Sequence, residues 1–515
     1  MKFFILLFLS CLLGVTQAFE LKAGPFMQNV TSNSAVIRME ANFEGTPKII
    51  FFREGETENF SVNAMLIERP FHSDKKAALY QAKLMGLVSG ARYLYQIQQG
   101  TQKSGLFLFK TLFKEPHAFA FLALSDAQNG QKVTSQVINQ SVMKYAFASY
   151  LDERTFPISL ALFTGDLVQK GNEYKRWNEE FFAPLAPLLT RLSLYPAIGN
   201  HEENTPYYFS YFDLPKNGSP ENLGHWYSVD YQNVRFITLN SNPPYTNENQ
   251  LAWLESLLMA TEQRDDFDFV VVQLHHPAES ELWLEGESAF AKTVHTKLSE
   301  WSGKSGKPVV AIAGHTHGYS RGQDADSSLF KLINGSIGGD TDNWGEFKQM
   351  DYLNYVMSKD EHGWCLVQVT LGANATMSFK RYSFGKDGNV RDQGIVDQFI
   401  LRKNNLAPEV PTLKLETAGI MASAFQEEQG DTHLTTQWQA SATSAMDKVF
   451  WSRTNHAFNE YGGTFTDLKP TLTALALSEI TGAAALKTIF VRARYRDSAL
   501  AFSEWSAPIE VQLKR

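Results

Sequence analysis

The stretch Val309-Val-Ala-Ile-Ala313-Gly314-His315-Thr316-His317 decides how this chain is built. Five apolar residues in a row read as a strand buried on both faces, and the polar string directly after them reads as the loop at its end. The same pattern occurs four times upstream. Ala118-Phe-Ala-Phe-Leu-Ala-Leu124 runs into Ser125-Asp126, and Ile158-Ser-Leu-Ala-Leu-Phe163 into Thr164-Gly165-Asp166. A further apolar run leads to Gly199-Asn200-His201-Glu202, and Phe269-Val-Val-Val272 leads to His275-His276-Pro277. Helix-length segments near 133–150, 173–190, 248–262 and 288–302 alternate with these strands and with Val234-Arg-Phe-Ile-Thr-Leu239. The alternation predicts an α/β domain over residues 117–385, in which ligands collect where strands end and loops begin.

To either side the pattern changes. Residues 19–112 carry short strand-like runs such as Lys48-Ile-Ile-Phe-Phe52 and Tyr93-Leu-Tyr-Gln-Ile97, separated by Gly, Asn, Ser and Pro. Roughly seven such strands in about 90 residues suggest a β-sandwich. After the linker Lys403-Asn-Asn-Leu-Ala-Pro408, residues 408–515 return to strand-and-turn composition. Lys487-Thr-Ile-Phe-Val-Arg-Ala-Arg-Tyr495 and Ser503-Glu-Trp-Ser506 resemble the closing strands of a fibronectin type III module, for which a stabilising or spacing role is the simplest reading.

The 515 residues fit several domains, and 43% hydrophobic with 20% charged residues is ordinary globular composition. A net charge of −8 without a long basic run argues against a nucleic-acid-binding surface. Residues 1–18 read as an export signal: Lys2, an apolar core from Phe3 to Val15, and the small-residue site Thr16-Gln-Ala18. That core is too short to span a bilayer well, so cleavage after Ala18 is expected rather than a transmembrane anchor; lipid attachment at Cys11 is the alternative. Once Cys11 leaves, Cys365 has no partner for a disulfide within the chain. The expectation is a secreted or periplasmic protein.

Asp126, Asp166, Asn200, His275, His315 and His317 form a mixed oxygen and nitrogen donor set, suited to two divalent or Fe-type ions such as Zn, Fe or Mn. Two such ions neutralise phosphoryl charge and acidify a shared water, which makes a phosphoester hydrolase with a metal-bridging hydroxide the leading expectation. Asp166 is the candidate bridge, because Gly165 lets the strand end abruptly without a Cβ clash. His201 is the candidate general acid, with Glu202 placed to orient it. Asn200, His201 and His276 are candidate substrate contacts.

The ordered motifs Gly165-Asp166, Gly199-Asn200-His201-Glu202, His275 and Gly314-His315-Thr316-His317 resemble the calcineurin-like metallophosphoesterase superfamily. With the amino-terminal part, including Gly24-Pro25 and Tyr80-Gln-Ala-Lys-Leu84, the chain looks most like purple-acid-phosphatase-related proteins. The resemblance implies a multidomain chain. A four-layer αββα metallophosphoesterase core would be flanked by amino- and carboxy-terminal fibronectin-III-like β-sandwiches. It also implies one metal on Asp126, Asp166 and His317, a second on Asp166, Asn200, His275 and His315, and a catalytic His201. Two positions depart from the family. Gln128 stands where many relatives have a histidine ligand, and would coordinate through its amide oxygen. Gln169 stands where purple acid phosphatases have the tyrosine that colours them, so a colourless protein is expected. An acid-phosphatase-like phosphomonoesterase leads, with a phosphodiesterase as the alternative. A non-catalytic surface-binding protein on the same scaffold is the third reading, and Gln128 is its main support.

Overall fold

Strands that are apolar on both faces have to be covered on both faces, and that requirement organises the molecule. The structure, a computed structural model, describes residues 19, 21–43, 45–68, 77–147, 155–462, 464–465, 472–484 and 486–513. The segment 1–18, where the export signal and Cys11 are expected to act, lies outside the described residues.

Thirteen strands build the central part. In chain order they are β1 (Phe119–Leu124), β2 (Ile158–Phe163), β3 (Ser193–Pro196), β4 (Tyr227–Tyr231), β5 (Val234–Thr238), β6 (Phe269–Gln273) and β7 (Val309–Ala313). They continue with β8 (Tyr319–Gln323), β9 (Leu329–Asn334), β10 (Tyr355–Lys359), β11 (Gly363–Val369), β12 (Thr376–Ser383) and β13 (Gly394–Arg402). The first sheet has the order β3-β2-β1-β11-β12-β13, and β1, β2 and β3 run parallel. In the second sheet β5, β6, β7 and β9 run parallel, with β4 beside β5 and β8 and β10 beyond β9.

The two sheets face each other. Phe121 of β1 meets Phe236 of β5 at 5.1 Å between ring centroids, and Phe330 of β9 meets Phe399 of β13 at 4.7 Å. Helices α1 (Glu248–Glu262) and α2 (Ala289–Ser305) cover the outer face of the second sheet, with Leu254, Leu258, Val294 and Leu298 packed on Val270, Val272 and Ala311. Their starts follow from their caps: the side chains of Asn247 and Ser288 accept from the N–H groups of Gln250 and Ala291. Helical segments over 131–146 and 174–189 cover the first sheet, each interrupted by a π-helical turn, at Ile138–Val142 and Trp177–Phe182. The layers are therefore helix, sheet, sheet, helix, and all the parallel strands end at one edge.

In the amino-terminal part, one sheet orders Leu21–Gln28, Ser34–Ala41, Ala78–Met85 and Met65–Glu68. A second sheet centres on Lys48–Arg53 and Arg92–Gln99, and Ile37, Ile49, Tyr95, Ile97 and Phe109 share one core between the two. This part is seated on the central one. Phe26 stacks on Phe182 at 4.7 Å, Arg38 donates to the Ser210 carbonyl at 2.8 Å, and Glu40 accepts from the Tyr174 and Tyr211 hydroxyls.

Two features differ from the expected division of the chain. The first sheet does not stop at residue 385: β13 pairs along the length of β12, from Ser383↔Gly394 to Thr376↔Arg402. The carboxy-terminal part, built on Trp438, Val491 and Ile420 and on the sheet of His433–Ser441, Val449–His456, Thr488–Asp497 and Ile509–Gln512, also reaches back. Its strands β14 (Glu460–Tyr461) and β15 (Thr464–Phe465) extend the second sheet beyond β10. An edge strand presents unpaired N–H and C=O groups, and here the same chain supplies partners for them. Among the described residues no helix is long and apolar enough to cross a membrane, and Cys365 is a buried free thiol.

Candidate functional site

Three side chains at the strand ends sit on backbone that side-chain-bearing residues rarely adopt. Asp126 after β1, Asp166 after β2 and His315 after β7 have φ of 55°, 55° and 68°. Each left-handed residue turns the chain sharply at the end of its strand, where the neighbouring strands bring the others. Such strain persists only where surroundings over-determine it, and it concentrates at working sites. Ligand atoms of Asp126, Asp166 and His275 lie within 4.8 Å of one another, as do those of His275, His276 and His315.

Each histidine is held so that one nitrogen faces the cluster. His275, fully buried, donates Nδ1–H to the Thr164 carbonyl at 2.8 Å, which leaves Nε2 facing Asn200 Oδ1 at 2.9 Å and Asp166 Oδ2 at 3.1 Å. His317 donates Nδ1–H to the Asp340 carbonyl at 2.6 Å, which leaves Nε2 at 2.9 Å from the Gln128 amide and 3.7 Å from Asp126 Oδ1. His315 turns Nδ1 toward His275 Nε2 at 3.2 Å, and its ring lies on Trp283 at 4.9 Å. An outer hydrogen bond fixes which imidazole nitrogen is offered.

The charges reinforce one another. Burial would raise the Asp166 carboxyl, but the charge and hydrogen bond of His275, with His201 and His315 behind, hold it below the ordinary carboxylate range. Burial pushes Asp126 up to about 6 against His317 and His275. His275 rises to about 9: burial opposes its charge, but the Asp166 and Asp126 carboxylates prevail. His276 falls to about 3 through burial and the neighbouring His275, so it is a neutral group.

The sequence-predicted residues come together as follows. Asp126, Gln128, Asp166, Asn200, His275, His315 and His317 share one cluster. His201 stands at its rim: its backbone N–H donates to Asp166 Oδ1 at 3.0 Å, its Nδ1 to the Gln169 carbonyl at 2.8 Å, and its Nε2 lies 3.8 Å from Asp166 Oδ2. His276 lies beside the cluster with Nδ1 on the Ser241 hydroxyl at 2.8 Å, and its ring is 4.3 Å from that of His315. Gln128 donates its amide to Asp166 Oδ2 at 3.1 Å, while its Oε1 is buried without a hydrogen-bond partner among the described residues, as is Asp126 Oδ2. Orphaned oxygens beside three inward-facing imidazole nitrogens are what a cation site requires, so the residues present fit metal ions.

Glu202 does not orient the His201 ring. Its buried carboxylate accepts from four backbone N–H groups: Asp166, Leu167, Val168 and Gly199, at 2.9, 2.7, 3.2 and 2.7 Å. Burial and the Asp166 charge push its pKa up to about 8, against these donors, which favour the ionised form. Tyr208 and Tyr227 are core: both hydroxyls donate to the Pro196 carbonyl at 2.7 Å.

A family model described as calcineurin-like phosphoesterase matches residues 120–319, the segment from β1 to the start of β8 that carries every ligand candidate. Residues 120–319 belong to the calcineurin-like phosphoesterase family. The phosphoesterase domain also has relatives of known fold. Purple acid phosphatase PPD1 from yellow lupin (Lupinus luteus) seeds superposes with a TM-score of 0.55 at 14% identity, covering 73% of this chain and 74% of that one. PhoD superposes with a TM-score of 0.53 at 12% identity, covering 79% of this chain and 92% of that one. An uncharacterized protein of Mycobacterium tuberculosis is 33% identical over 103 residues, 16% of this chain, and the same match recurs in a second strain. The match spans 20% of the length of these curated relatives.

Several supporting residues of the phosphoesterase domain escaped the sequence reading. Asn240-Ser241-Asn242 follows β5 as the ligand strings follow their strands, and that same signal marks it: Ser241 holds His276, and Asn242 donates to the Ile198 and Gly199 carbonyls. Asp342 accepts the His317 backbone N–H at 2.8 Å, following the glycine pair Gly338-Gly339. Glu180, in the second π-helical turn, accepts from the N–H groups of Gln169 and Asn129, and only the fold shows this.

Proposed function

We propose that this chain is an exported phosphoester hydrolase that cleaves phosphate monoesters with two metal ions. The reading rests on one observation: six donors from five separate strand ends converge on a single cluster with His201 at its rim. Asp126, Asp166 and His317 would hold one ion, with Gln128 joining through Oε1 after an amide rotation, and Asp166, Asn200, His275 and His315 the other. Bound there, Zn, Fe or Mn ions would neutralise phosphoryl charge and acidify water. The chain's own residues do the rest. His201 is 31% exposed at its side chain, with Nδ1 fixed on Gln169, so Nε2 is free to give a proton or hydrogen bond to the leaving oxygen. Asn200 and the neutral His276 offer further contacts to the phosphoryl group. Trp283 backs the His315 ring.

The monoester preference is supported by the likeness of fold to a purple acid phosphatase, and export by the apolar segment Phe3–Val15 ahead of Ala18, which points to secretion or the periplasm. The two-sheet cores on either side support reading residues 19–112 and 408–515 as fibronectin-like sandwiches around the phosphoesterase domain.

The test is elemental analysis of the purified protein alongside turnover of p-nitrophenyl phosphate and bis-p-nitrophenyl phosphate. Two metals per chain with faster monoester cleavage supports the reading, and faster diester cleavage replaces it with a phosphodiesterase. No turnover after supply of Zn, Mn or Fe overturns it in favour of a binding protein. His201→Ala is expected to lower turnover about 10²–10⁴-fold with metal content unchanged. Loss of metal in that variant would make His201 a ligand instead.

A further inference from the structure

The loop 340–353 has no regular structure of its own, yet two of the site's histidines depend on it. Asp342 takes the His317 backbone N–H and the Asp340 carbonyl takes its Nδ1–H, so both the placement of His317 and the nitrogen it offers follow the loop. His315 is reached through Trp283: Phe347 of the loop packs on the Trp283 ring at 5.1 Å, and the Lys348 carbonyl accepts from the N–H of Leu284 at 2.9 Å. Tyr352 N–H also donates to the buried Glu281 at 2.8 Å.

Two elements hold the loop from outside: Asp387, which accepts from the Thr341 N–H at 2.7 Å and its hydroxyl at 3.2 Å, and the carboxy-terminal part. The Trp344 ring meets Tyr461 edge-on at 5.1 Å, and Glu460 pairs in register with Met357 of β10. The Glu460 carboxylate binds Lys359 Nζ at 2.6 Å, with side chains only 14% and 20% exposed. The carboxy-terminal part also has its own foothold on the second sheet. Arg496, 3% exposed, donates to the carbonyls of Asp324, Ala325 and Ser327 at 2.6, 3.3 and 2.7 Å, in the turn between β8 and β9. A segment anchored at both places can restrain a loop lying between them.

We propose that the carboxy-terminal part is a positioning element of the phosphoesterase site, with Glu460 and Tyr461 as the residues that clamp loop 340–353 and, through it, His317 and Trp283. This rests on the hydrolase reading for its catalytic consequence but not for its structural one. Asn459, Glu460 and Tyr461 are not themselves ligand candidates, so their effect on the site would run through the loop.

The test uses the full-length protein with Glu460→Lys, Tyr461→Ala and the reversed pair Lys359→Glu/Glu460→Lys, reading backbone hydrogen exchange over 340–353, metal content, and kcat and KM for p-nitrophenyl phosphate. Both single variants are expected to speed exchange in 340–353 by about tenfold or more, the signature of local opening. They are also expected to lower kcat several-fold or release one metal, and the reversed pair to bring both readouts back toward wild type. Unchanged exchange in both single variants overturns the proposal. Faster exchange with unchanged kcat and metal content overturns it too, leaving the carboxy-terminal part a spacer. If the wild-type protein shows no turnover with any metal, the hydrolase reading is what fails, and exchange alone then supports or overturns the clamp.

Discussion

Gly165 lacks a side chain because two atoms of the site occupy the space one would take. A Cβ there would lie 2.6 Å from His275 Nδ1 and 2.8 Å from the Gly199 nitrogen, and the backbone φ of +100° is already outside the range that side chains tolerate. Gly165→Ala is therefore expected to cost about 1–3 kcal/mol and to tilt His275 away from the Thr164 carbonyl. A lowered melting temperature together with lost metal would show this, and wild-type values for both would mean that the loop relaxes freely. The loop itself is drawn tight by Glu202, whose carboxylate gathers four N–H groups from the two strand ends flanking Asp166. Glu202→Gln keeps the shape but places an amide NH₂ where an acceptor is needed. One or more buried N–H groups would lose a partner, at about 1–3 kcal/mol each. The expected result is a fall in stability and in metal content without any change at a ligand. Sequence spacing identified Glu202 as part of the motif but gave it the wrong task, since nothing in Gly199-Asn200-His201-Glu202 reveals that its partners are backbone amides of residues 166–168.

At the scale of elements, most of the parallel strands were legible because they are apolar on both faces and stop at a polar string, whereas β9, interrupted by Lys331, was not. Phe119–Leu124, Ile158–Phe163, Phe269–Gln273 and Val309–Ala313 could be read to within a residue or so, and with them the edge where the site lies. Strand β13 was not legible as part of this sheet: Gly394–Arg402 alternates buried and exposed positions, the pattern of a sheet edge that any neighbouring domain could claim. The loop 340–353 was opaque for a different reason, since its conformation is set by contacts distant in the chain. Helix α2 carries a further consequence. His295 faces the core from this helix, and burial, aided by the Lys331 ammonium and opposed by Asp324, lowers its pKa to about 3. Between that value and an ordinary 6.5 the unfolded chain binds a proton that the folded chain refuses. Stability owed to neutral His295 is thus full above pH 6.5 and declines as pH falls toward 3, by about 1.4 kcal/mol per pH unit. Urea unfolding of His295→Leu across this range is expected to show a shallower pH dependence than wild type. Parallel slopes would place the acid sensitivity in other groups.

At the scale of the whole molecule, three regions that read in sequence as beads on a string are fastened to one another by buried polar contacts. Fibronectin-like patterning suggested a stabilising or spacing module at the carboxy terminus without showing where it sits, because strand alternation reports a region's own core and not which surface it rests on. Arg496 is the residue that contradicts independence. Burial lowers its pKa only to about 10, so it is charged at neutral pH, and its donors are engaged by the Asp324, Ala325 and Ser327 carbonyls rather than by a carboxylate. Removing it leaves those carbonyls short of a donor at an interface that also buries Leu434 and Leu500 against the phosphoesterase core. Hydrogen bonds to a charged group contribute about 1.5–3 kcal/mol each, so Arg496→Ala is expected to weaken docking by about 3 kcal/mol or more. Docked, the carboxy-terminal part should unfold with the phosphoesterase domain in one calorimetric transition. In Arg496→Ala the transition should split, with the carboxy-terminal part melting first and loop 340–353 loosening at that lower temperature rather than at the higher one. A single unshifted transition in the variant would mean that the strand pairing of β10 with β14 and the apolar contacts carry the interface alone, and that the arginine follows the docking instead of causing it.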